Sequence, residues 1–293
     1  MFELIGIPPQ ALFGQLLLGL INGAFYAMLS LGLAVIFGML NVINFTHGAQ
    51  YMMGAFAAWL MLGILDVPFW ASLVLAPIIV GLFGVVLERV MLKRIYHLDH
   101  LYGFLLTFGL ALVIEGLFQW KWGSSGAPYP NPIPGGYNLG FMFLPTYRGF
   151  VVLAALVICL ATWYGIERTK LGAYLRAATE NPTLVRAFGI NVPRLITLTY
   201  GLGVGLAALA GVLAAPIQQV SALMGTNLVL VVFAVVVIGG MGSIMGSIVT
   251  GFGLGLIEGL TKVFYPPASN TVIFVVMALV LLIKPAGLFG QTK

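Results

Sequence analysis

Residues 11–40 read ALFGQLLLGLINGAFYAMLSLGLAVIFGML, and none of them carries a charge. The hydrocarbon core of a bilayer asks for about 20 consecutive apolar residues of helix. A helix that is apolar on every side has no face to offer water, so this stretch belongs in lipid or inside a membrane bundle. It is also longer than one upright crossing needs. Further apolar runs follow at residues 48–65, 69–87, 101–120, 149–166, 195–217, 228–239, 246–265 and 271–283. The run at 228–239 is short for a full span. The pattern predicts roughly eight or nine transmembrane helices. The runs are continuous and do not alternate with a period of two, which argues against a membrane β-barrel.

Composition agrees. Hydrophobic residues make up 61% of the 293 and charged residues 7%. A soluble domain carries about 25% charged residues, and so few charges could not keep a globule of this size dispersed. The expected fold class is an all-α polytopic membrane protein, a single transmembrane domain over residues 1–293. Cys159 lies alone in an apolar run and has no intrachain partner. The N-terminal MFELIGIPPQ lacks the basic region of a cleavable signal. The first apolar run is therefore expected to act as an uncleaved start.

Net charge is +5. The basic residues are few and gather in two loops, which reports topology and not nucleic-acid binding. Arg89, Lys93 and Arg94 lie in residues 88–100. Arg168, Lys170, Arg176, Arg186 and Arg194 lie in residues 167–194. Two apolar runs separate these segments, so they share a side, and the positive-inside rule makes that side cytoplasmic. Residues 121–147 then form an extracytoplasmic loop. Pro128, Pro130, Pro132, Pro134, Gly135 and Gly136 exclude a regular helix there. The C-terminus is expected inside and the N-terminus outside.

Three stretches interrupt the apolar pattern. The first is NVINFTHGAQYMMG at 41–54. Asn41, Asn44, Thr46 and His47 are polar groups near membrane depth, where they are costly unless paired or wetted. Non-helical backbone is tolerated at that depth only inside protein or beside a cavity. Either the helix breaks here beside a solute path, or Asn44 or Thr46 caps the next helix in an ordinary turn. His47 has no partner at metal-ligand spacing, so no metal site is expected.

The second is VVIGGMGSIMGSIVTGFGLGLIEG at 236–259. Its G-x-G has no βαβ context and does not read as a dinucleotide site. Gly239–Gly240 and Gly242–Ser243 break an apolar run, as in the discontinuous helices of transporters. Gly240, Gly242 and Ser243 are therefore candidates for a translocation path. The pairs Gly242/Gly246, Gly251/Gly255 and Gly255/Gly259 permit close helix contact. The two interruptions fall in opposite halves, a hint of an inverted repeat without residue-level support.

The third is TKLGAYLRAATENPTLVRAFGINVPR at 169–194. Asn181 stands as an N-cap with Pro182 at the first helical position. Gly189 ends the helix and Pro193 prevents its continuation. A two-turn helix this short is not stable alone. It makes sense as a knob for a soluble partner, presenting Arg186, Leu184, Val185 and Phe188, or as an ordinary structured loop.

Glu258 and Lys262 are spaced as a helical ion pair and read as structural. Glu115 faces a cavity near the outer side or reaches interfacial water. No nucleophile–base pair, metal cluster or paired carboxylate is evident, so no catalytic residue is assigned. No G-x-x-x-x-G-K-[ST] is present for ATP.

Three stretches together resemble a family. NGAFYAMLSLGLAVIFGMLNVINFTHGAQYMMGAFAA within residues 19–58, TKLGAYLRAATENPTLVRAFGIN and VVIGGMGSIMGSIVTGFGLGLIEG are similar to the permeases of branched-chain amino acid ABC importers, of the LivH type. The resemblance runs from about residue 10 to the terminal KPAGLFG, with Thr46 where Ala is common. It implies a bacterial inner-membrane importer with a second homologous permease chain and two cytoplasmic ABC ATPases. A periplasmic or lipid-anchored solute-binding protein would complete it. This chain would hold no cofactor, and ATP-Mg would sit in the ATPases. Glu180, Asn181, Pro182, Val185, Arg186, Phe188 and Gly189 would form the coupling helix. Asn41, Asn44, Thr46, His47, Glu115, Gly240, Gly242 and Ser243 would flank the path, which would open by alternating access. A urea or short-amide permease shares that architecture. An ion-coupled secondary transporter would need an ion cage at Glu115 or Glu258. A purely structural subunit would not need the polar breaks.

Overall fold

The computed structural model describes residues 8–40 and 44–290, so Asn41 lies outside the described residues. The helices are α1 (Pro9–Leu40), α2 (Thr46–Leu65), α3 (Phe69–Val90), α4 (His100–Trp122) and α5 (Thr146–Glu167). They continue with α6 (Lys170–Glu180), α7 (Pro182–Ala187), α8 (Val192–Ala214), α9 (Thr226–Gly239), α10 (Ile244–Phe264) and α11 (Val272–Ile283). Seven are long and apolar enough to cross a membrane, and α9 and α11 are shorter apolar helices. The chain is an all-α polytopic membrane protein, and each apolar run of the sequence is a helix. One small antiparallel hairpin, β1 (Gly136–Asn138) with β2 (Phe143–Pro145), sits in the proline-rich loop. The sequence reading did not foresee it.

The long first run is one continuous helix. Its 32 residues extend about 48 Å, against a hydrocarbon core of about 30 Å. It must tilt or project, because nothing in it breaks.

Two faces can be told apart. At one, Thr179 Oγ1 of α6 donates to the Gly38 carbonyl near the end of α1 (3.4 Å). At the other, Phe13 near the start of α1 packs on Phe141 of the hairpin loop, centroids 5.8 Å apart. Thus α1 runs from the hairpin face to the α6–α7 face. Helix α8 runs the other way. Val192 and Leu195 at its start pack with Leu175 of α6 and Val185 of α7. Near its end the Leu213 carbonyl accepts from Tyr147 at the start of α5 (2.9 Å).

That opposition extends to a whole repeat. α1 packs on α10 as α8 packs on α3, α2 packs on α8 as α9 packs on α1, and α4 packs on α2 as α11 packs on α9. The units α1–α4 and α8–α11 have the same internal arrangement and opposite direction, which makes them an inverted repeat. The inverted repeat hinted at by the two sequence interruptions is present, but the matching breaks precede α2 and α9, and the interruption at 239–243 joins α9 to α10. The repeat escaped residue matching because packing needs only small or apolar residues at the contacts.

Glycine sets the closest approaches. A Cβ on Gly19 of α1 would lie 2.4 Å from the Gly255 carbonyl oxygen of α10, and Gly259 is equally close to α1. The spacing of Gly251, Gly255 and Gly259 is used as expected, to seat α10 against α1.

The break at 240–243 differs from expectation. It is not a discontinuity within one crossing. Gly240 (φ 99°) and Gly242 (φ 85°) reverse the chain, so α9 and α10 pack as an antiparallel pair. Ser243 Oγ then caps α10 by accepting from the Gly246 amide (3.1 Å). Residues after α11 return to this turn, with the Leu288 amide donating to the Ile238 carbonyl (2.8 Å) and the Phe289 amide to Gly239 (3.0 Å). Residues 288–289 therefore lie on the α6–α7 face.

Glu258 is buried in α10. It accepts from Tyr26 of α1 (2.6 Å) and from Lys262 (2.5 Å), whose side chain stays about one-third exposed. The ion pair read from the sequence is present, and the tyrosine adds a tie between α1 and α10. Lys262→Met is expected to destabilise the chain by about 3 kcal/mol, because it strands a buried carboxylate. Glu258→Gln with Lys262→Met should recover most of that loss. Melting of the purified variants in detergent checks this, and a double variant no better than Lys262→Met refutes it.

Candidate translocation site

Two non-helical segments lie at membrane depth. One precedes α2 and the other, residues 215–225, precedes α9. Their depth follows from their partners. His47 Nε2 is 2.9 Å from the Leu29 carbonyl, about 16 Å along α1 from its end at Leu40. The Phe45 amide donates to Thr107 Oγ1 (3.2 Å), about 10 Å from the start of α4. So Phe45 and the first turn of α2 lie well inside the slab. On the hairpin side, Val220 bridges Ala127 of the loop in antiparallel fashion. Thr226, the first residue of α9, donates to Glu115 Oε1 (2.8 Å), about 22 Å from the start of α4. The two dipping segments meet at Gly48 and Gly225, where a Cβ on either would fall within 2.6 Å of the other's carbonyl oxygen.

Around the first break the polar side chains satisfy one another. Asn44 Nδ2 donates to Gln50 Oε1 (3.0 Å). Thr46 Oγ1 donates to Asn44 Oδ1 at short range. Gln50 Nε2 lies 3.3 Å from Thr46 Oγ1 and 3.4 Å from the Tyr200 hydroxyl of α8. Asn44, Thr46, His47, Gln50 and Tyr200 are all buried. His47 Nδ1 has no hydrogen-bond partner among the described residues. The capping alternative fails: Phe45 occupies the cap position of α2 and no side chain caps it. The broken-helix reading describes the geometry, since the network closes on itself and leaves the helix end to Asn44 O accepting from the His47 amide (3.2 Å).

Glu115 is buried beside this region but meets the end of α9, not an open cavity. A carboxylate at a helix N-terminus opposes the positive end of the dipole favourably, so Glu115 anchors the half-helix. Gly240, Gly242 and Ser243 stand apart from the polar cluster, at the α6–α7 face. There Gly242 lines a cleft of about 90 Å³ with Gly38, Thr179 and Arg176. Gln50, Tyr200, Thr107 and Gly225 belong to the site and were not singled out from the sequence. Gln50 carried a signal, because it falls one helical turn after Thr46 on the same face. Tyr200 carried none, since a tyrosine in an apolar helix reads as core.

The short segment at 181–189 folds as expected locally. Asn181 Oδ1 accepts from the Leu184 amide (2.9 Å), with Pro182 in the first turn. Gly189 adopts φ 79°. Leu184 and Phe188 are 54% and 76% exposed, but Val185 is only 5% exposed and packs against α6 and α8. Val185 therefore holds α7 in place and is not presented. Arg186 has no carboxylate partner among the described residues. Glu180 closes α6 just before the cap. Among the described residues no group of three metal-ligating side chains is found. Asp99 caps α4, accepting from the Leu101 amide (2.9 Å).

An inverted pair of broken helices around a buried polar cluster defines a membrane transport protein of the repeat-built kind. Residues 15–282 match the family described as branched-chain amino acid transport system / permease component, and the chain belongs to that family. It is 28% identical to the high-affinity branched-chain amino acid transport system permease protein LivH of Escherichia coli K12, over 95% of this chain and 96% of that protein. It is equally similar to BraD of Pseudomonas aeruginosa, named as a permease of the same kind of system, over 95% and 96% of the two chains. A probable branched-chain amino acid transport permease protein of Methanocaldococcus jannaschii is 26% identical over 90% of this chain and 88% of its own.

Proposed function

We propose that the chain is the membrane-spanning permease subunit of an ABC importer for branched-chain, hydrophobic amino acids. The observation that carries this reading is the pairing of a buried polar break at mid-membrane with a capped, partner-ready helix at one face. A channel would need only the first feature, and an anchoring subunit would need neither.

The α6–α7 face is then cytoplasmic, consistent with its basic residues, and the chain's last described residues share it. A second permease copy or homologue would complete the path. Two ATPases would receive α7 through Phe188, Leu184 and Arg186, with Asn181, Pro182 and Gly189 shaping the knob. α6 links that knob to the core, because Thr179 bonds Gly38 while Gly242 lines the cleft beside it. A push on α7 is thereby delivered to the end of α1 and to the α9–α10 turn. The extracytoplasmic loop, residues 123–145, faces the solute-binding protein. ATP and Mg²⁺ would be held by the ATPases. The solute would pass between the two breaks near Asn44, Gln50 and Tyr200. With few fixed charges there, the path suits a zwitterion whose side chain is apolar.

The test is gentle extraction of the tagged chain and mass spectrometry of what co-purifies. An ATPase pair and a second permease are expected, with ATP-dependent leucine uptake after reconstitution with the binding protein. Gln50→Ala in that complex is expected to lower uptake with the assembly intact. A chain that purifies alone and takes up solute on an ion gradient refutes the reading. Uptake of urea in place of leucine would move the substrate and keep the architecture.

A further inference from the structure

A cleft of about 270 Å³ opens on the α6–α7 face where α3 ends and α8 begins. Arg89, Lys93, Pro193, Arg194 and Thr197 line it. The three cations have no carboxylate within ion-pair distance among the described residues. A neighbouring carboxylate, that of Glu88, is already committed. Glu88 is buried and accepts from Thr197 (2.7 Å) and from Tyr96 (2.9 Å). Burial, then the Glu88 charge, pushes the Tyr96 phenol well up, so it stays a donor.

Arg89 in the last turn of α3 and Lys93 just beyond it sit where a helix C-terminus favours cations. That preference does not account for Arg194. That residue lies in the first turn of α8, where the helix dipole disfavours a cation. Three unmatched cations in one concavity call for an external anion. The surroundings say which. Val86 of α3 and Leu198 and Leu202 of α8 are exposed and lie one to two turns inward along their helices from Arg89 and Arg194. A free phosphate would have no use for that apolar wall. An acyl chain would.

We infer that this cleft binds the headgroup of an anionic phospholipid, phosphate against Arg89, Lys93 and Arg194, with its chains on α3 and α8. Basic pockets between transmembrane helices suit such headgroups. The site needs only that the chain sits in a bilayer, so it stands apart from the transport reading.

The experiment is native mass spectrometry of the full chain in detergent, titrated with phosphatidylglycerol or phosphatidylethanolamine. Retention of phosphatidylglycerol over phosphatidylethanolamine is expected. Arg194→Gln should weaken it ~5-fold, and Arg89→Gln, Lys93→Gln and Arg194→Gln together on the order of a hundredfold. Lys170→Gln, on the same face outside the cleft, should retain the lipid as the unaltered chain does. Equal retention by the triple variant overturns the inference. So does full displacement of phosphatidylglycerol by millimolar inorganic phosphate, which would make the site one for a soluble anion. Should the triple variant not fold, Arg194→Gln alone decides by the same readout.

Discussion

Gly225→Ala is expected to remove most of the monodisperse chain obtained after detergent extraction. The added Cβ would stand 2.0 Å from the Gly48 carbonyl oxygen and 2.4 Å from its carbon. Both are backbone atoms, so no rotamer change relieves the clash. Overpacking a side-chain core costs typically about 1–3 kcal/mol. Here two segments must separate, and the Thr226–Glu115 bond next to Gly225 goes with them. Gly109→Ala is the matched control. Its Cβ meets nothing within 4 Å, and in a helix interior it should gain up to about 1 kcal/mol. Size-exclusion profile and melting temperature of the pair are the readouts. A Gly225→Ala chain that behaves as Gly109→Ala does would show that the two breaks do not touch.

Gly189→Pro is expected to bring uptake by the assembled importer to background while the chain still inserts. Gly189 holds φ 79° and its amide donates to the Arg186 carbonyl (2.9 Å). Proline holds φ near −65° and has no amide hydrogen. The end of α7 must therefore reorganise, carrying the exposed Phe188 with it. The damage stays local, because α7 is a six-residue helix outside the apolar bundle. Arg186→Glu tests the same surface by charge with the backbone intact. Membrane yield, co-purifying ATPase and transport are measured together. Normal uptake by a stably inserted Gly189→Pro chain refutes the coupling role of α7.

Much of this architecture was readable in the residues. Apolar runs and two basic loops are enough for helix number and relative sidedness, because bilayer thickness and charge placement act on composition alone. The cap at Asn181–Pro182 and the stop at Gly189 are local rules and were read correctly. What escaped depended on distant partners. Gln50 meets Tyr200 at a separation of 150 residues, and Gly225 is defined by Gly48. The turn at Gly239–Ser243 looked like an interrupted crossing because glycine marks both a gap and a reversal. Only the antiparallel packing of α9 on α10 separates them. Val185 looked presentable beside Leu184 and Phe188, and its burial is set by α6 and α8.

The inverted repeat bears on the direction of transport. Two units with the same internal packing and opposite orientation offer equivalent contacts at the two faces of the membrane. Taken alone, α1–α4 and α8–α11 would hold openings to either side at nearly equal free energy. Vectorial movement then has to come from what breaks that equivalence. The elements without a counterpart are α5, which crosses between the faces, α6 and α7 at one face, and the hairpin loop of residues 123–145 at the other. Import is thus a property of the inserted parts, and exchanging those parts is where a reversal of sign would be sought.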